Sequence, residues 1–305
     1  MNNKGKQMNG TIDLVAGKYV GSINGKVIVK STSKYYVQKK MAEVAEVKVQ
    51  AEAVSSKMND EFPIDTRFDF VHDIVTMVAN KKTPSVIITG EGGLGKSYSV
   101  IKALKAAGLK DMTEVLAEAD IGAVVMSEKC FSVFKGYSTA KALFRTLYEN
   151  RNSTIVFDDC DSILKDADAL NVLKGALDSF DKRIISWNSE LKDDSIPRMF
   201  QFKGSIVFIS NMSPEKLDQA LKSRSMCIDL GMTMDQKLQR MATIIESGDF
   251  LPEISKEAKM EALEVIKENK DQAKEVSLRT LISTSKIAEN GSSNWKALAK
   301  YMLIA

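Results

Sequence analysis

Eight consecutive residues, Gly90-Glu91-Gly92-Gly93-Leu94-Gly95-Lys96-Ser97, combine a pliable backbone with one lysine and one hydroxyl. They fit the pattern G-x-x-x-x-G-K-[ST] at every fixed position. Glycines let the chain curl until successive N–H groups face a single anion. A helix opening near Lys96 adds its positive N-terminal end. Lys96 then reaches the β- and γ-phosphates of a nucleoside triphosphate, and the Ser97 hydroxyl ligates Mg²⁺. Gly90, Glu91, Gly92, Gly93, Leu94, Gly95, Lys96 and Ser97 are therefore the candidate ATP-binding residues. A chance glycine-rich turn can match the same pattern. Here it follows the apolar run Ser85–Thr89 and precedes a helical pattern, the context that phosphate binding needs.

About 60 residues later the apolar run Thr154-Ile155-Val156-Phe157 ends in Asp158-Asp159. Two carboxylates at the end of a buried strand are costly unless they meet a cation or its water. Asp158 is the candidate Mg²⁺ ligand beside Ser97, and Asp159 is placed to polarise the attacking water. An Asp here also suits the N-cap of the next helix. Other chemistry is nearly excluded. His72 is the single histidine, so Ser-His-Asp catalysis and histidine metal sites have no material. Cys130, Cys160 and Cys227 are odd in number and far apart, which reads as reduced thiols rather than a disulfide framework or zinc site.

The elements that must position these groups can be read from periodicity. Apolar strands are expected at Ser85–Thr89, Val124–Met126, Thr154–Phe157, Ser205–Ser210 and Met226–Leu230. Helices are expected at Phe68–Asn80, Lys96–Ala107, Thr139–Asn150 and Ala167–Phe180, with another from Pro214 to Leu221. Alternation of this kind predicts a parallel sheet covered by helices on both faces. From Thr233 onward only helices are expected, at 233–247, 255–269, 277–289 and 292–303. The first 60 residues read differently. Residues 1–10 are expected to be disordered, and 11–37 form a small β unit with Asn24-Gly25 as a hairpin turn. Residues 38–57 read as a helical arm, broken at Asn59–Pro63. The expected organisation is an N-terminal β/α extension (1–60), an α/β nucleotide-binding domain (61–232) and a C-terminal helical lid (233–305).

With these motifs in this order, residues 66–290 resemble the AAA+ superfamily of ring ATPases. By that resemblance Gly90–Ser97 is Walker A and Ile155–Asp159 is Walker B. Most relatives carry Asp-Glu where this chain has Asp158-Asp159, which bears on the rate of hydrolysis. Asn211, ending the strand Ser205–Ser210, corresponds to sensor 1. Arg224, in Lys222-Ser223-Arg224-Ser225, corresponds to an arginine finger serving a neighbouring subunit. Arg279 corresponds to sensor 2 on the lid. The resemblance implies an ATPase that uses Mg²⁺ in a homo-oligomeric ring, a hexamer by preference. Phe134-Lys135-Gly136-Tyr137 resembles a pore loop that grips a polymer, nucleic acid or polypeptide. Residues 183–202 read as an inserted hairpin, with Lys192 or Arg198 able to meet phosphate. The segments Phe157–Asp161 and Leu173–Ser179 also look similar to compact ATPases encoded by large bacteriophages.

Charge is uneven. Residues 1–50 hold nine Lys against three acidic residues, +6, while the whole chain carries +3, so the remainder sums to −3. A basic N-terminal arm suits nucleic acid or another acidic surface, and equally a solvated tail. No run of 18 apolar residues and no signal-peptide core are present, so no membrane role is expected and the cytoplasm, of an infected host if phage-encoded, is the expected location. Three functions compete. The first is an ATP-driven motor or remodeller acting on a polymer. The second is a slow ATP-gated loader or scaffold that recruits a replication or assembly partner. A small-molecule kinase is the third, and Arg224, Arg279 and the helical lid speak against it.

Overall fold

The computed structural model describes residues 10–23, 26–44, 61–118, 129–188 and 196–305. The chain divides into two compact units, Met1–Pro63 and Ile64–Ala305. The first holds an antiparallel meander of β1 (Gly10–Val15), β2 (Lys18–Ile23) and β3 (Lys26–Ser31), in that order. The β1–β2 turn is Ala16-Gly17, both left-handed (φ 48° and 76°), as a two-residue hairpin with the right twist requires. Sequence reasoning missed this turn; the Asn24-Gly25 turn it expected lies outside the described residues, as do residues 1–9. A helix, α1, occupies 34–44, several residues earlier than expected. Its remaining expected span, 45–57, is outside the described residues. Gly21 makes room for α1, since a Cβ there would fall 2.8 Å from Val37 Cγ1.

The second unit is built on six parallel strands in the order β11-β4-β10-β7-β6-β5. They are β4 (Ser85–Thr89), β5 (Lys110–Asp111), β6 (Cys130–Lys135), β7 (Thr154–Asp158), β10 (Ser205–Ile209) and β11 (Met226–Asp229). In β4, β7 and β10 all five residues are buried, as continuous apolar runs between two helical layers must be. Successive side chains serve opposite faces. Ile87, Ile155, Phe157, Ile206 and Phe208 pack with α5 (Ala140–Glu149) and α6 (Ala167–Ala176). Val86, Ile88, Val156, Val207 and Ile209 pack with α2 (Ile64–Ala79) and α3 (Lys96–Ala106). A short helix, α4, covers Met112–Glu118.

Two expectations need correction, and one falls outside the described residues. The expected strand Val124–Met126 lies outside the described residues, and the strand beside β7 is Cys130–Lys135. Phe134 and Lys135 therefore belong to a strand, not to a loop. The helix expected over Pro214–Leu221 is two pieces, a 3₁₀ turn at Pro214–Lys216 and α7 at Gln219–Lys222. Asp218 separates them, because its carboxylate caps α7 by accepting from the N–H groups of Ala220 and Leu221. The inserted hairpin is present as β8 (Ile184–Ser186) and β9 (Met199–Gln201), antiparallel.

Residues beyond Thr233 form α8 (Met234–Glu246), α9 (Lys256–Asn269), α10 (Leu278–Glu289) and α11 (Trp295–Ile304). They share an apolar core that includes Leu263, Ile266, Leu281 and Leu303. Polar ties bind them to the α/β layer. Arg67 of α2, only 3% exposed, donates to the carbonyls of Asp229 (3.1 Å) and Gly231 (2.9 Å) and to Gln236 of α8 (3.4 Å). Gln236 closes a capping box with Thr233. Among the described residues no helix is long and apolar enough to cross a membrane.

Candidate nucleotide site

The chain leaves β4 at Gly90 and winds through Gly93 and Gly95, all at positive φ (140°, 72° and 87°), before α3 begins at Lys96. Side chains at these positions would strain the backbone and collide. A Cβ on Gly93 would sit 2.8 Å from the Cβ of Ser277, and one on Gly95 would sit 3.2 Å from Leu278. The α10 segment therefore lies directly against the loop. The Leu278 N–H donates to the Gly93 carbonyl at 2.8 Å. Lys96 is 5% exposed, and its ammonium donates to the carbonyls of Gly90 and Glu91 (2.7 Å each) and to Asn211 Oδ1 (2.9 Å). Burial pushes its pKa below the ordinary lysine value, while Asp159, Asp158 and Asp161 pull it back up. Glu91 forms an ion pair with Lys237 of α8.

The register brings the carboxyl ends of three neighbouring strands to one level. Ile209 pairs with Ile88 on one side and Asp158 on the other. Asn211, Asp158 and the phosphate loop thus converge at the place in an open parallel sheet where ligands bind. Ser97 Oγ donates to Asp158 Oδ1 at 2.8 Å. Asn211 Nδ2 donates to Asp159 Oδ1 at 2.6 Å, so Asn211 joins Lys96 to Asp159. Asp159 has φ 56°, an uncommon value for a residue with a side chain. That bend turns its carboxylate away from buried Asp158 and toward Asn211. Ser210 donates to Asp161 at 2.6 Å and fixes the loop beneath.

These groups line a cleft of about 140 Å³, with Gly92–Ser97, Asp158, Asp159, Asn211 and Arg279 on its walls. Arg279 Nη1 would lie 3.9 Å from a Cβ on Gly92. A larger, mostly apolar cavity of about 510 Å³ adjoins it across Gly93, Leu94 and Gly95. Phe68, Tyr98, Arg240, Phe250, Leu251 and Ile282 line this second space. Arg240 stacks 4.1 Å above the Phe68 ring and is held by Asp65 at 2.5 Å. Sequence reasoning did not single out these residues. Tyr98, an aromatic beside the phosphate loop and 61% exposed, was the available signal.

The donors at Ser97 and Asp158 are oxygens, which suits Mg²⁺. Among the described residues no group of three or more His, Cys, Asp or Glu could hold a metal. An ion here would complete its shell with phosphate and water oxygens, as magnesium in nucleotide sites does.

Other predicted residues lie elsewhere. Arg224 stands just before β11, where Met226 pairs with Val86, at the sheet end opposite the phosphate loop. Its guanidinium donates to the Ala220 carbonyl at 3.1 Å. The length of β4 alone puts about 15 Å between Arg224 and the cleft of the same chain. Phe134 is half-buried against the core, its ring 5.9 Å from that of Phe157, whereas Tyr137 is 84% exposed. Trp187 and Phe200 of the hairpin rest on Phe144, and Arg198 is exposed. Lys192 is outside the described residues. Sequence reasoning also missed what Lys135 does. Its ammonium lies 3.1 Å from Asp158 Oδ2.

No protein-family model matches the chain. It is 31% identical over 322 aligned positions to the "Uncharacterized 36.7 kDa protein in nrdC-mobD intergenic region" of Enterobacteria phage T4, spanning 97% of this chain and 94% of that protein. Among solved structures, it is similar to the FIGL-1 AAA domain in complex with ADP (15% identity, TM-score 0.33). That match covers 72% of this chain and 66% of the other. A second structure of the FIGL-1 AAA domain gives 13% identity and TM-score 0.42 over 77% and 79%. PCH-2 of C. elegans gives 14% and 0.41 over 78% and 67%.

Proposed function

We propose that this chain, which belongs to the family of the 36.7 kDa protein of phage T4, is a Mg²⁺-dependent ATPase of the AAA+ type. The observation that carries this reading is the meeting of two pairs at one strand edge. Ser97 touches Asp158 at 2.8 Å, and Lys96 touches Asn211 at 2.9 Å, with Asp159 bonded beyond it.

In this reading the N–H groups of residues 92–97 and the start of α3 bind the phosphates. Lys96, released from its carbonyl partners, supplies the cation. Ser97 and Asp158 would hold Mg²⁺, which when bound neutralises charge on the β- and γ-phosphate oxygens. Asn211 engages one oxygen of Asp159 and leaves the other free to orient and deprotonate the attacking water. Water adds to the γ-phosphorus, the bond to the β-phosphate oxygen breaks, and ADP and inorganic phosphate result. The 510 Å³ cavity receives the nucleoside, its base against Phe68, Tyr98 and Ile282. Arg279 reaches the phosphates from residues 233–305, which act as a lid on the α/β domain at 61–232.

Arg224 is too far from its own loop to serve it, so we assign it to a neighbour's site, which makes the working form a ring, by preference a hexamer. Its energy would drive movement or remodelling of a nucleic acid or polypeptide, in the host cytoplasm. A slow ATP-gated loader is the second reading. It is favoured by the short Asp159 side chain, already bonded to Asn211, and by the basic first 50 residues.

Phosphate release measured with Mg·ATP, alone and with single-stranded DNA, duplex DNA, RNA or unfolded protein, tests both. Stimulation by one polymer supports the motor. Slow, unstimulated turnover with ATP-dependent partner binding supports the loader. No heat on titration with Mg·ATP would sink the assignment altogether.

A further inference from the structure

We propose that Lys135 is a built-in counter-cation for Asp158, one that magnesium must displace, and that its departure moves the turn carrying Tyr137. This rests on the reading of Ser97 and Asp158 as magnesium ligands. Lys135 is register partner to Asp158 across β6 and β7, so the strand pairing itself delivers its side chain there. Both oxygens of the carboxylate are then engaged, Oδ1 by the Ser97 hydroxyl at 2.8 Å and Oδ2 by the Lys135 ammonium at 3.1 Å. A hydroxyl can share an oxygen-rich shell with a metal. An ammonium at that distance repels a dication and competes for the same lone pairs.

The two partners differ in freedom. The Asp158 side chain is 5% exposed and cannot withdraw, whereas the Lys135 side chain is 66% exposed. A buried carboxylate requires a counter-charge, which Lys135 supplies when no metal does. Its release has a defined reach. Gly136 follows in the left-handed region (φ 87°), and Tyr137 projects into solvent. Ser138 is pinned to Ser162 by two hydrogen bonds, its N–H to Oγ at 3.2 Å and its carbonyl to the Ser162 hydroxyl at 3.4 Å. Movement is thus confined to residues 135–137, which couples metal occupancy to an exposed tyrosine.

The test uses the full chain with a non-hydrolysable ATP analogue and Mn²⁺ as the probe, read by electron paramagnetic resonance. Lys135→Met is expected to bind Mn²⁺ about two- to fivefold more tightly than wild type, the range of a partly exposed ion pair. Lys135→Arg, which keeps the cation, is expected to match wild type. Metal-free binding of a fluorescent ATP analogue is expected to be the same in wild type and Lys135→Arg, and no tighter in Lys135→Met, whose Asp158 has lost its counter-charge. Unchanged or weaker Mn²⁺ binding by Lys135→Met, with nucleotide binding intact, overturns the role of Lys135 alone. Absence of Mn²⁺–nucleotide binding in wild type overturns both this inference and the functional reading beneath it. Fluorotyrosine at position 137 is expected to shift its ¹⁹F resonance on addition of diamagnetic Mg²⁺ with the nucleotide analogue in wild type and not in Lys135→Met. A resonance that stays still in wild type overturns the relay.

Discussion

Asp158 and Asp159 are adjacent in sequence and opposite in surroundings. Asp158 is 3% exposed between a hydroxyl and an ammonium, while Asp159 is exposed and turned by its left-handed backbone onto Asn211. Their substitutions should therefore fail differently. Asp159→Asn keeps the shape and removes the base, so ATP should still bind while phosphate release falls by about two or more orders of magnitude. Lys96→Ala removes the cation and one end of the Lys96–Asn211–Asp159 chain, and calorimetry should detect no nucleotide binding. Cys160, beneath the same strand end, makes a separate check on burial. Desolvation first, and the Asp158 carboxylate second, push its thiol up to about 11. At pH 8 roughly one thiol in a thousand is then ionised, so mass spectrometry after brief alkylation should find Cys160 unlabelled in folded protein and labelled after denaturation.

At the scale of elements, the contact between the phosphate loop and α10 is the most demanding. Gly93→Ala places a methyl group on a strained backbone, 2.8 Å from Ser277, against a segment already bonded to the Gly93 carbonyl. A loss of about 1–2 kcal/mol and at least tenfold weaker nucleotide binding are expected, by thermal melting and calorimetry. Arg67→Met should cost more, about 2–4 kcal/mol, since the Asp229 and Gly231 carbonyls lose a charged donor. Which elements were legible follows from how each signal arises. The runs at 85–89, 154–158 and 205–209 announce central strands because both faces are buried. The strand at Cys130–Lys135 was hidden, since Ser132 and Lys135 interrupt its apolar run and Val124–Met126 is the stronger stretch. A chemical motif names Lys96, Ser97 and Asp158 because geometry fixes their spacing. No motif could name Lys135 or Arg240, whose importance comes from strands and helices paired across the fold.

For the whole molecule, the position of Arg224 at the far end of the sheet makes the proposed sharing of sites testable. If one subunit's Arg224 completes another's site, Arg224→Ala should bind ATP almost normally and hydrolyse it about a thousandfold more slowly. Mixing Arg224→Ala subunits with Lys96→Ala subunits should then restore part of the activity, because some interfaces pair an intact loop with an intact arginine. No recovery in a phosphate-release assay of the mixture, with mixed oligomers verified by native mass spectrometry, would refute sharing. The bond from Leu278 to Gly93 has a consequence for biosynthesis. Its two partners are 185 residues apart in the chain (278 − 93). A nascent polypeptide emerging from the ribosome therefore exposes its glycine loop long before the donor that braces it exists. Competence to capture nucleotide should arrive only once residue 278 has been made, and ribosome-stalled chains ending before it should fail to retain ATP.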